Sequence, residues 1–192
     1  MLGIVGSVTD DSRTRAAVER ALAGAAAAGA DTEVLHLAEY DLDDADGTHL
    51  DDLTGDTAAA LELVVESDAY VVGSPVYRAA YSGALKNLLD QVPRGQWQGD
   101  VAPLENAAVG LVATGAADEH FLAIDEELRP LLAFFGVHTV GTSVWAGDDV
   151  FADGDIADEE TAQHLDQLGG AVVELAGAIA DGEHLSGFPP QV

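Results

Sequence analysis

The sequence has no cysteine, a single lysine (Lys86) and few aromatic residues, and none of its apolar runs is long. Without cysteine there is no disulfide framework, thiolate metal cluster or cysteine nucleophile, and the reducing cytoplasm is the expected compartment. The longest apolar stretches, 21–30 and 107–113, fall short of the roughly 20 residues that a membrane-spanning helix requires. Met1–Val5 carries no basic flank, long apolar core or small-residue cleavage site, so no secretory signal is expected. Positive charge is equally scarce: 7 Lys and Arg stand against 35 Asp and Glu, a net charge of −28. Such a surface repels a phosphate backbone or an anionic bilayer, which excludes ordinary nucleic-acid binding and argues against membrane binding.

What is present is a foldable chain. In 192 residues, 48% are hydrophobic and the mean hydropathy is +0.13, too apolar for the acidity to mean disorder. Asp crowds the loops while Lys has almost vanished, a bias that resembles proteins of salt-accumulating halophiles. Short carboxylates stay hydrated and keep molecules apart where salt shortens the screening length to about 3 Å at 1 M.

Apolar runs at Leu2–Val5, Thr32–Leu37, Ala69–Gly73, Ala107–Ala113 and Thr139–Trp145 read as buried strands. Helical patterns lie between and after them, at Ser12–Ala28, Asp56–Glu66, Ser82–Gln91, Asp118–Phe135 and Asp158–Ala180. Continuous rather than alternating strands imply a parallel sheet covered on both faces. The expectation is an α/β, flavodoxin-like three-layer sandwich with five parallel strands in the order 2-1-3-4-5. Residues 1–183 read as one domain and 184–192 as a tail in which Pro189 and Pro190 end regular structure. Ligands of such sheets bind beyond the carboxyl ends of the strands, which directs attention to loops starting at Gly6, Ser74 and Thr114.

The first loop offers Ser7, Thr9, Ser12, Arg13 and Thr14 at a helix N-terminus, the outline of an anion site. It matches neither GxxxxGK[ST] nor GxGxxG; its hydroxyls suit a phosphomonoester, and Ser12 alone serves equally as a helix N-cap. The second loop, Ser74-Pro75-Val76-Tyr77, runs through Arg78-Ala79-Ala80-Tyr81 into Ser82-Gly83-Ala84-Leu85-Lys86-Asn87-Leu88-Leu89-Asp90. This [ST]PxY loop leading into an SGALKxLLD helix resembles the NAD(P)H-dependent FMN reductases, and the YxAAYSGALK run is most similar to the alkanesulfonate-linked flavin reductases. The resemblance covers residues 1 to about 180.

That resemblance implies FMN, with NADPH or NADH as hydride donor. It implies that Pro75, Val76, Tyr77 and Arg78 line the flavin ring, with their backbone N–H groups facing its N5 and O4 edge, and that Arg78 carries charge toward a nicotinamide nucleotide. Tyr81 reads as packing at a helix start, and Lys86 as structural. The third loop, Thr114-Gly115-Ala116, resembles the family's ATGG segment, whose small residues let a planar ring approach; Ala116 replaces a usual glycine. His120 matches a family histidine, for which capping or interface packing competes with cofactor contact. Asp100 stands where relatives often carry lysine. In sulfonate-linked relatives the region of Asp125 and Glu126 is a bulged helix at a tetramer interface that controls flavin retention; a charged Glu126 argues against that switch and for tightly held FMN. Pro130 predicts a helix irregularity, because proline removes a backbone donor. Arg13 and Arg15 are candidates for recognising the NADPH 2′-phosphate.

No catalytic side chain is assigned, since hydride passes directly between cofactors, and no metal site is expected. Asp41–Gly47 fails as a calcium loop: aligned on Gly47, the first and twelfth ligand positions fall on Leu42 and Leu53. His36, His49, His138, His164 and His184 show no ligand spacing. A homodimer or homotetramer is expected, with Trp97 as an interface aromatic. The competing functions are an FMN-dependent quinone or azo reductase, a flavodoxin-like electron carrier that does not use NAD(P)H, whose usual TxTGNT phosphate loop is missing, and a non-catalytic flavin-binding protein.

Overall fold

Four consecutive apolar residues make a stable strand only if both faces are covered, and β1 (Leu2–Val5) is buried at every position. The computed structural model describes residues 1–95, 100–116 and 120–187. Trp97, the residues at 118 and 119 where the fourth helix was expected to begin, and Pro189 and Pro190 lie outside the described residues. β1 pairs in parallel with β2 (Glu33–His36) and β3 (Ala69–Pro75), and β3 pairs with β4 (Ala108–Gly115) from Ala69↔Ala108 to Pro75↔Thr114. With β5 at His138–Thr139, the sheet order is β2-β1-β3-β4-β5, the expected flavodoxin-like arrangement.

Strand side chains alternate between two apolar layers. Ile4, Val72 and Leu111 pack with Leu61 and Val64 of α2 (Gly55–Val65), with Leu85 and Leu88 of α3 (Gly83–Gln91), and with Leu132 of α4 (Arg129–Phe134). Val5, Val71 and Val112 pack on the opposite side, against Val18 and Leu22 of α1 (Arg13–Ala27) and Leu165 and Leu168 of α5 (Glu159–Asp181). The two helices approach to backbone contact: a Cβ on Gly169 would sit 1.9 Å from the Ala21 carbonyl oxygen, and one on Gly24 2.2 Å from that of Asp166. Ser12, Ser82 and Asp158 cap α1, α3 and α5, each accepting a backbone N–H three residues on.

Two features differ from expectation, and a third, expected, takes a particular form. The fifth strand, expected as one run, is split into β5 (His138–Thr139), paired with Ala108 and Val109, and β6 (Val144–Gly147), paired with Val112 to Gly115. Gly141, Thr142 and Ser143 interrupt the apolar run, and side chains stand in for the missing ladder: Arg129 Nη1 donates to Thr139 Oγ1 (2.6 Å) and the Val140 carbonyl (2.9 Å), while Ser143 Oγ donates to Asp125 Oδ2 (2.7 Å). Second, a hairpin of β7 (Phe151–Ala152) and β8 (Asp155–Ile156) follows. Asp153 and Gly154 supply its two positive φ angles, 53° and 95°, as a type I′ turn demands. Third, the irregularity expected at Pro130 takes the form of a π-helical turn, Ile124–Leu128, in which the Arg129 N–H donates to the Ile124 carbonyl. Widening the helix before Pro130 relieves the clash of its ring with the preceding turn. Glu126 lies exposed in that turn.

Candidate active site

Hydroxyls lock the ends of the central strands together. The Gly6 N–H donates to the Gly73 carbonyl at 2.8 Å, and a Cβ on Gly6 would come within 2.9 Å of Leu85 Cβ. Ser82 Oγ donates to the Gly6 carbonyl while accepting from the Leu85 N–H (3.1 Å). Ser74 Oγ accepts from the Ser82 N–H and donates to the Pro75 carbonyl, both at 2.9 Å. The buried hydroxyls of Thr14 and Thr114 meet at 2.6 Å, so the first and third loops share one hydrogen bond.

These contacts enclose a cleft of about 500 Å³ at the carboxyl ends of the strands, within the size range of small-molecule sites. Ser7, Thr9, Ser12, Arg13 and Thr14 line it from the first loop, Pro75, Val76 and Tyr77 from the second, and Thr114, Gly115 and Ala116 from the third. Arg78 and His120, also singled out by sequence, are not among the lining residues. Asp11 and Asp148 line the cleft and were missed. Asp148 follows β6 directly, and the rule that reads loops at strand ends would have found it had the loop after the last strand been included.

Ser7 Oγ and Thr9 Oγ1 are 3.0 Å apart, and Ser12 Oγ caps α1 by accepting the Arg15 N–H at 3.1 Å. The cap role of Ser12 and its place in the cleft therefore coexist. Arg13 is the cation of the cleft among the described residues; its guanidinium ion-pairs with Asp148 and lies 5.7 Å from the centroid of the Phe151 ring. Arg15 points elsewhere, to Glu19 and Glu39, each at 2.7 Å.

The second loop corrects one expectation. Of the backbone N–H groups assigned to a flavin edge, that of Val76 donates to the Thr114 carbonyl (2.8 Å) and that of Tyr77 to the Ala80 carbonyl (2.8 Å). Proline has no N–H. The strand ladder and a tight turn consume these donors, and the Arg78 N–H has no backbone partner among the described residues. Arg78 and Ala79 take φ of 54° and 64°, left-handed geometry that costs on the order of 1–2 kcal/mol per residue without glycine. The small size of Gly115 also has a second cause: a Cβ there would lie 2.7 Å from the Trp145 ring. Ala116 takes no left-handed φ, so its departure from glycine carries no backbone strain.

A hydroxyl-rich helix N-terminus with one arginine, opposite a floor of small residues, fits a ligand with a phosphate at one end and a flat ring at the other. The model of the NADPH-dependent FMN reductases matches residues 1–151. The chain belongs to that family. Membership makes it an oxidoreductase of FMN and NAD(P)H. An NAD(P)H-dependent FAD/FMN reductase of Geobacillus thermodenitrificans is 30% identical over 185 residues, spanning 95% of this chain and 96% of its own. The NADH-dependent FMN reductase SfnF of Pseudomonas putida is 41% identical over 104 residues, 52% of each chain. Among solved structures, an NADH:FMN oxidoreductase superposes with a TM-score of 0.70 at 28% identity, covering 92% of this chain and 88% of the other. Its relation to a Megasphaera elsdenii flavodoxin, TM-score 0.54 at 19% identity, is one of fold.

Proposed function

We propose that FMN lies in this cleft with its phosphate at Ser7, Thr9, Ser12, Arg13 and Thr14 and its ring against Pro75, Val76, Tyr77, Thr114, Gly115 and Ala116. The observation that carries the reading is the convergence of these residues from three separate loops on one cleft. Bound FMN would supply the hydride acceptor and the redox couple for a small-molecule acceptor. The protein holds the phosphate by hydroxyls and the α1 N-terminus, keeps the ring face open to a nicotinamide, and contributes no acid or base.

Arg78 is the reading's contact for the nucleotide. Every other Lys or Arg has a carboxylate or ring partner: Arg13, Arg15, Arg20, Lys86 and Arg129 are ion-paired, and Arg94 lies over Phe134. Arg78, exposed at the tip of the strained turn beside Tyr77, has no such partner among the described residues and is left for a phosphate of NADPH or NADH. Arg13, which the reading gives to the FMN phosphate, and Arg15, which pairs with Glu19 and Glu39 outside the cleft, are poor candidates for the 2′-phosphate. Residues 1–183 are taken as the functional domain because α5 packs on α1 through Gly24 and Gly169. The YxAAYSGALK run supports a place beside the sulfonate-linked reductases. Exposed Phe121, Leu122 and Phe134 support a homodimer or homotetramer, and the acidity supports a salt-rich cytoplasm. The site is tested by the Ser12→Ala/Thr14→Ala double variant: FMN binding weakens at least about tenfold, the loss of some 1.4 kcal/mol. Unchanged FMN affinity in a folded double variant would count against it.

A further inference from the structure

Among the described residues Asp148 is one of two carboxylates that line the cleft, and it ion-pairs with the one cation there, Arg13. It is placed by the fold rather than by chance of a flexible loop. Gly147 is in register with Gly115, so Asp148 leaves the end of β6 beside the third loop, and the guanidinium is backed by Phe151 of the following hairpin. Among the described residues, with Arg13 set against Asp11 and Asp148, the lining carries a formal charge of 1 − 2 = −1. A flavin phosphomonoester brings a further charge of about −1.5 to −2 at neutral pH. The group best suited to receive it is already matched with an anion.

We propose that Asp148 is an internal competitor of the flavin phosphate at Arg13, so that it sets how tightly phosphorylated flavins bind and makes that binding strengthen with salt. The inference rests on the reading that the phosphate lies among Ser7, Ser12, Arg13 and Thr14. A phosphate and a carboxylate that reach the same guanidinium lie closer together than the screening length of dilute buffer, about 8–10 Å near 0.1–0.15 M, and beyond the roughly 3 Å that holds at 1 M. Salt therefore removes the repulsion between the two anions along with the general field of a chain of charge −28. Phosphate-binding sites built only of cations weaken as salt rises; this one is built to do the opposite. Riboflavin, which has the ring and no phosphate, is outside the competition.

The test titrates FMN and riboflavin, followed by flavin fluorescence, into the full chain and its Asp148→Asn, Asp11→Asn and Arg13→Gln variants, at about 0.15 M and about 3 M KCl. Circular dichroism establishes that each variant is folded, and Asp148→Ser stands in if the asparagine variant is not. In dilute salt Asp148→Asn tightens FMN about tenfold and leaves riboflavin within about twofold; the gain shrinks in concentrated salt and vanishes when Arg13→Gln is combined with it. Asp11→Asn removes the same charge from the cleft without touching Arg13 and gives a smaller gain. Weaker FMN binding in Asp148→Asn would overturn the inference, because Asp148 would then orient Arg13 rather than compete for it. So would equal shifts for FMN and riboflavin, or equal gains from Asp11→Asn and Asp148→Asn. If neither flavin binds the unmodified chain, the flavin site itself is refuted, and the role of Asp148 with it.

Discussion

His36 ends β2 with its side chain buried and its Nε2 without a hydrogen-bond partner among the described residues. Burial, reinforced by the Arg15 cation near its Nδ1, holds the imidazole pKa below its ordinary value, against the opposing pull of Glu39. The native state thus prefers neutral His36, while the unfolded chain takes up the proton near pH 6.5. The resulting stability is fully present above about pH 6.5 and is lost as pH falls through the depressed native value. Urea unfolding between about pH 7.5 and 5.5 should show the wild type losing stability more steeply than His36→Gln; parallel slopes would refute the assignment. At this scale the sequence was informative about residue types and silent about what they are bonded to. The hydroxyls of the first loop could be read directly. That the N–H groups of Val76 and Tyr77 are spent on Thr114 and Ala80 could not, because a backbone donor carries no signature in the side-chain sequence.

Elements were legible where their ends carry chemistry. Ser12, Ser82 and Asp158 announce helices because a short polar side chain satisfies an orphan N–H, and all three caps are formed. The fifth strand was not legible in detail. Its apolar residues fit one run, and the break at 140–143 depends on the side chains of Arg129 and Asp125, which reach it from the preceding helical segment. Arg129 also donates through Nε to Asp125 Oδ1 at 2.8 Å, so one guanidinium ties the helix that follows the π turn to the sheet edge. Arg129→Met should cost about 2–4 kcal/mol in denaturant unfolding and raise hydrogen exchange at the amides around Val140 and Val144. A variant with wild-type stability would show that the break needs no such brace. Pro130 signalled an irregular helix correctly, yet whether the chain answers with a kink or a widened turn depends on the packing of Ile124 and Leu128.

Across the whole molecule the dominant facts are a covered parallel sheet and a net charge of −28. The parallel pairing followed from the alternation of apolar runs and helical patterns, since parallel neighbours require crossovers and crossovers require helices; the order 2-1-3-4-5 was suggested by the count of five such units. The charge says nothing of topology and much about conditions. Repulsion among the carboxylates is largely unscreened in dilute buffer, so the thermal midpoint should rise by about 10 °C or more between about 0.2 M and 3 M KCl; a flat or falling midpoint would contradict salt adaptation. The central claim, that the cleft joins FMN to a nicotinamide donor, is tested most directly in concentrated KCl under anaerobic conditions. The protein is loaded with FMN, freed of excess flavin, and mixed separately with NADPH and NADH while the visible flavin absorbance is followed. Bleaching by at least one nucleotide is the predicted result; FMN that stays bound and oxidised with both would contradict it.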